Sequence, residues 1–158
     1  MKESHSMMDF LRSGWQIATQ VCIDYTASNG DPSSPESLHY LGAHNQYETA
    51  ASQVCSILES YDSDKQFPVW GFGGRPSWLG QLDMHCFPLN GNPQLPYVAT
   101  ANGVLQLYRN TLQTIRLSGP TYFAPIIKNF MNTVSAVAAQ PIYHILLILT
   151  DGEIHDMF

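Results

Sequence analysis

The stretch QIATQVCIDYTAS, residues 16–28, changes character at one residue, Asp24. Before it, Gln16 to Ile23 is apolar and rich in β-branched side chains, the composition of a strand buried on both faces. After it, Asp24, Thr26 and Ser28 put an oxygen donor on every second side chain, so the three can converge on one point. The following NGDPSSPES is dense in turn formers and reads as a loop.

A second stretch, YHILLILTDG at 143–152, repeats the pattern: it is the most apolar run in the chain and it ends at Asp151. Between the two lies NQYETAASQVCSILESYD, where Asn45 and Glu48 make a capping-box start and Tyr47, Ala51, Val54, Leu58 and Tyr61 recur at helical spacing. FPVWGF at 67–72 reads as a second strand, closed by a turn at Gly73, Gly74 and Pro76, with a weaker strand over 82–87. FPLNGNPQLPYVAT, rich in Pro and Asn, is assigned to the surface. Two further helices are predicted, over 101–115 with Val104, Leu105, Tyr108 and Leu112 inward, and over 123–139 with Pro125 in its first turn. Long apolar strands separated by helices require crossover connections. The fold class is therefore α/β, a mostly parallel central sheet with helices on both faces.

Composition narrows the function. The 158 residues, 44% of them hydrophobic, suffice for one core. A formal net charge of −6 leaves no basic stripe for nucleic acid or for anionic lipid. The longest apolar run, 145–149, is too short to cross a bilayer, and MKESHSMMDFLRSG lacks the continuous hydrophobic stretch of a signal peptide. Three cysteines without a CxxC pair fit a reducing compartment, so the expected location is cytoplasmic. Cys22 and Cys55, in apolar periodic contexts, read as small core residues.

Ligands of open parallel sheets gather at the carboxyl ends of the strands, which is where Asp24 and Asp151 fall. Thr121, in GPTYF before a helix, would be presented to the same rim. Each of these alone is an ordinary cap or turn former. Together, Asp24, Thr26, Ser28, Thr121 and Asp151 form a specific combination of hydroxyls and carboxylates without thiolate or imidazole. Such donors suit Mg²⁺ or Mn²⁺, with Ca²⁺ admissible, and do not suit zinc. If the hydroxyls bind directly and the aspartates act through water, the ion stays electrophilic toward an external carboxylate. That grips an acidic residue of a partner and needs no acid, base or nucleophile, so no enzyme is expected. The six histidines are scattered and read as surface or packing residues. Gly71-Phe72-Gly73-Gly74 is followed by a proline-containing turn rather than a helix, and reads as a turn instead of a phosphate loop. Tyr25 is read as packing beneath the loop.

Asp24-x-Thr26-x-Ser28, Thr121 and Asp151 resemble the metal-ion-dependent adhesion site of von Willebrand factor A domains. SNGDPSSPESLHY, YDSDKQFPVWGFGGRP, GPTYFAPII and LLILTDGEIHD are similar to the A domain of copines, and HSMMDFLRSGWQI resembles the segment leading into it. The resemblance implies a Rossmann-like A domain over 14–158 after a lead-in at 1–13, binding target proteins through Mg²⁺ or Mn²⁺. It also implies a family role in calcium-dependent phospholipid binding and plasma-membrane association, which in copines resides in C2 domains. Membrane contact by this chain is thus expected only indirectly, through C2 sequence that is absent here. The few residues after Asp151 lead to the expectation of a truncated A domain lacking its last strands. The strand at 143–149 would then be a bare edge prone to self-association.

Two other functions compete with partner binding. A substrate-recruiting A domain of a ubiquitin-ligase assembly is compatible with the same residues, although no RING pattern of Cys and His is present. A Mg²⁺-dependent phosphatase would need a second aspartate two residues after Asp24, where Thr26 stands.

Overall fold

The computed structural model describes residues 4–156. In chain order the elements are α1 (Met7–Arg12), β1 (Gln16–Asp24), α2 (Gln46–Glu59), β2 (Gln66–Phe72), β3 (Gly74–Pro76), β4 (Phe87–Pro88), β5 (Tyr97–Ala99), α3 (Thr100–Leu112), β6 (Ile115–Leu117), α4 (Ala124–Ala136) and β7 (Ile142–Leu149). A sheet runs β4-β2-β1-β7, with β5 also paired to β2. The apolar run of β1 is explained by its central place: β2 and β7 flank it, both parallel, with Phe72 beside Asp24 and Leu149 beside Ile23. Strands β4 and β5 run antiparallel to β2.

Alternation along β1 builds two cores. Val21 and Ile23 face α2 and α3, where Tyr47, Ala51, Cys55, Val104, Tyr108 and Leu112 close over them. Cys22 points the other way, into a smaller cluster with Trp70, Phe72 and Ile126 of α4. Helices therefore lie on both faces of a mostly parallel sheet. Each large apolar side chain buried in this way contributes roughly 1.5–3 kcal/mol. Cys22, Cys55 and Tyr25 are fully buried, as their contexts suggest.

Helix α2 starts where the capping box predicts. Asn45 Oδ1 accepts from the Glu48 amide at 3.0 Å, and Glu48 Oε2 accepts from the Asn45 amide at 3.0 Å. The Glu48 carboxylate also takes an ion pair from Arg109, which ties α2 to α3. In the lead-in, α1 rests its Phe10 ring against Trp15 and Tyr143, with centroids 4.7 and 5.6 Å away. Residues 1–3 of the lead-in and 157–158 of the predicted domain lie outside the described residues.

Several local expectations need correction. The stretch 82–87 is mostly turn, and only Phe87–Pro88 pairs with β2. The stretch after it is not all surface, because Phe87 and Leu89 are buried core residues and Tyr97–Ala99 adds an edge strand. Tyr61 lies beyond the end of α2 and is exposed. Helices α3 and α4 stop at Leu112 and Ala136, three residues short of the predicted ends. A two-stranded ribbon of β3 and β6 was not foreseen. Its strands are only three residues long, too short for periodicity to register.

Candidate metal centre

The carboxyl end of β1 delivers Asp24 into a buried ring of donors. Its Oδ1 accepts from the Thr26 amide at 2.8 Å and from Thr26 Oγ1 at 2.6 Å. Its Oδ2 accepts from Thr150 Oγ1 at 2.7 Å, which reaches across from the end of β7. Both oxygens of the carboxylate are thus engaged. A hydroxyl that gives its proton to a carboxylate keeps its lone pairs for a cation. Thr26 gives its proton to Asp24, accepts on Oγ1 from Asn29 Nδ2 at 3.3 Å, and has that Oγ1 3.1 Å from Ser28 Oγ. Neighbouring oxygens of an octahedral ion bound at 2.0–2.1 Å are separated by about 3 Å. The Thr26–Ser28 pair therefore has the spacing of two adjacent ligands.

The backbone makes this approach possible. After Thr26, residues Ala27–Asn29 turn in a single 3₁₀ turn, bringing Ser28 back over Thr26. Gly73, at φ +73°, passes so close that a Cβ there would collide with the Thr26 methyl group. The loop is held from below by side chains. Asn29 Nδ2 donates to the Thr26 carbonyl at 3.1 Å, and Tyr47 OH donates to Asn29 Oδ1 at 2.6 Å. His39 bridges the Asp24 carbonyl at 2.8 Å and the Tyr108 hydroxyl at 2.7 Å, its ring stacked on Tyr47.

Thr121 is fully buried, and its Oγ1 has no hydrogen-bond partner. An orphaned hydroxyl is costly unless something outside the chain completes it. Its backbone is fixed to the segment that follows β7: the Thr121 amide donates to His155 Nδ1 at 3.0 Å, and the His155 amide donates to the Thr121 carbonyl at 2.9 Å. Asp151 opens that segment, and its Oδ1 accepts from the Glu153 amide at 3.0 Å. Asp24, Thr26 and Ser28 are therefore joined directly. Asp151 is adjacent through Thr150, and Thr121 is tied to the Asp151–Asp156 segment by its backbone.

Electrostatics points the same way. Burial holds the Asp24 carboxyl above its ordinary range, its hydrogen bonds to Thr26 and Thr150 oppose this, and the Asp151 charge adds to it. A cation would offset both unfavourable effects. Among the described residues no three His, Cys, Asp or Glu side chains converge, so the candidate donors are chiefly hydroxyls.

Sequence reasoning missed Thr150, Asn29, His39, His155 and Asp156. Thr150 could have been suspected as the hydroxyl next to Asp151. The others act through contacts that no local spacing announces.

Comparison with known proteins agrees with the motifs. The copine family model matches residues 37–158. Protein BONZAI 1 of Arabidopsis thaliana is 42% identical over 158 residues, covering 97% of this chain and 27% of that protein. Protein BONZAI 2 of the same plant is 41% identical over 161 residues, with the same two coverages of 97% and 27%. The chain spans 27% of the length of these curated relatives.

Proposed function

We propose, from the premise that this chain belongs to the copine family, that it is a protein-binding domain dependent on a divalent metal ion. Mg²⁺ or Mn²⁺ would be held by Thr26, Ser28 and Thr121, with Asp24 and Asp151 carrying the charge behind them, and Ca²⁺ is the alternative ion. The ion, when bound, supplies electrophilic pull on a carboxylate of a target protein. The chain's own residues do the rest. Thr26 gives its proton to Asp24 and would offer an oxygen lone pair to the ion, Asn29 and Tyr47 fix the loop, and His39 anchors the end of β1. The observation that carries this reading is the 3.1 Å approach of Thr26 Oγ1 to Ser28 Oγ above a carboxylate whose two oxygens each accept from a hydroxyl.

Among the described residues no helix is long and apolar enough to cross a membrane. Phospholipid binding and plasma-membrane signalling, in this reading, belong to the longer proteins of the family rather than to this domain. A second contact is proposed at the outer edge of β7, through which copies of the chain would pair.

Isothermal titration with Mg²⁺ and Mn²⁺ tests the site. The native chain is expected to give a saturable heat that Asp24→Ala abolishes and Thr26→Ser preserves. Equal heats in the native and Asp24→Ala proteins would exclude the site.

A further inference from the structure

At the opposite end of the sheet from Asp24, α4 leaves a cavity of about 190 Å³ against β1, β2 and β7. A cavity of about 150 Å³ already holds a benzene ring, so this one admits a small organic molecule. Its apolar side is formed by Pro68, Phe130 and Val137. Its polar side is unfinished. Gln20 is 3% exposed, and its Nε2 donates to Asn129 Oδ1 of α4 at 3.2 Å, yet its Oε1 has no partner. Asp62 is 6% exposed; its Oδ1 accepts from the amides of Asp64 and Lys65, both at 3.2 Å, and its Oδ2 is unpartnered. His144 also lines the space with a buried, unpartnered Nε2.

Buried polar atoms are nearly always satisfied, and the orphaned oxygens of three lining residues, Thr19 Oγ1, Gln20 Oε1 and Asp62 Oδ2, call for a partner from outside the chain; of the three only the Thr19 hydroxyl can itself donate. Gln20 Oε1 can only accept. Asp62 accepts and carries negative charge, Asp64 adds a second carboxylate to the lining, and no Lys or Arg is among the lining residues. An anion would be repelled, and a purely apolar ligand would leave the Gln20 and Asp62 oxygens unsatisfied.

We propose that this cavity binds a small organic cation, an amine or guanidine on a short apolar stem, whose N–H groups donate to Gln20 Oε1 and Asp62 Oδ2 while the stem lies against Phe130. The site is separate from the Asp24 rim and does not depend on the metal reading.

Titration of the ¹⁵N-labelled full chain with agmatine, in the presence of a chelator, tests it. Saturable shifts are expected at the Gln20 side-chain amide and at the Thr133 and His144 backbone amides, unchanged when Mg²⁺ replaces the chelator. Asp62→Asn keeps the acceptor for the two turn amides and removes the charge, and should weaken agmatine about tenfold. Gln20→Leu should weaken it as well, giving a second readout at a different wall. Glutarate, of similar length and opposite charge, should produce no saturable shift. Absence of saturable shifts with agmatine would mean that water alone fills the cavity and would overturn the proposal, as would equal binding of glutarate or undiminished agmatine binding in both variants.

Discussion

Burial sets the chemistry of His39. Its ring is enclosed between the Asp24 carbonyl and the Tyr108 hydroxyl, and desolvation pushes its pKa down to about 4. In the unfolded chain the imidazole titrates near 6.5. Between those values the unfolded state binds the extra proton, so stability is complete above pH 6.5 and is lost as pH falls toward 4. The loss from this one group is on the order of 3 kcal/mol. Thermal unfolding of native chain and His39→Gln across that interval checks it: the native midpoint should fall with pH more steeply than the variant's, and parallel profiles would remove His39 as the cause. The same residue shows the limit of reading side chains in order. Asp24, Thr26 and Ser28 were legible because they lie within five residues of one another, although it is the 3₁₀ turn at Ala27–Asn29, rather than extended alternation, that returns Ser28 over Thr26. His39 was assigned to surface or packing, and it is indeed packed, but its bond to the Asp24 carbonyl depends on how the 30–45 loop folds back under β1.

Helix α4 has no side-chain cap of its own at Phe123. Asp156 supplies one from beyond β7: its carboxylate oxygens accept from the Phe123 amide at 2.9 Å and the Ala124 amide at 2.8 Å. A carboxylate at a helix N-terminus satisfies orphan amides and complements the helix dipole. Asp156→Ala is therefore expected to lower unfolding free energy by about 1 kcal/mol, with Asp156→Asn recovering part of it. Urea denaturation measures both, and a midpoint unmoved by Asp156→Ala would show that the cap contributes nothing. Periodicity located α2, α3 and α4 because each buries a recurrent apolar stripe, and Asn45 with Glu48 marked the start of α2. The ends of α3 and α4 were overrun, since no Gly or Pro stands at the stops to announce them. Short β3, β5 and β6 were illegible as strands, and β4 was met only at Phe87 by the strand predicted over 82–87, because pairing with other strands, rather than their own pattern, makes them extended.

Taken whole, the sheet has one long strand with an unpaired side. Among the described residues nothing pairs with the outer edge of β7, and seven of its eight residues are only partly buried. An apolar strand left open in this way is a template for another. Sedimentation velocity over a range of concentrations is expected to show association that grows with concentration, and a single monomeric species throughout would contradict pairing at this edge. The sequence by itself determined the α/β class, the three main strands and helices, and three of the five proposed ligand positions as one cluster, because burial periodicity and alternate spacing are local quantities. Tertiary structure alone decided that Thr150 closes the Asp24 carboxylate, that Thr121 keeps an unsatisfied hydroxyl, that Asp156 caps α4, and that Gln20 and Asp62 face one cavity. Those relations join residues far apart in the chain, and only the packing of β7 and α4 against β1 brings them within hydrogen-bonding reach.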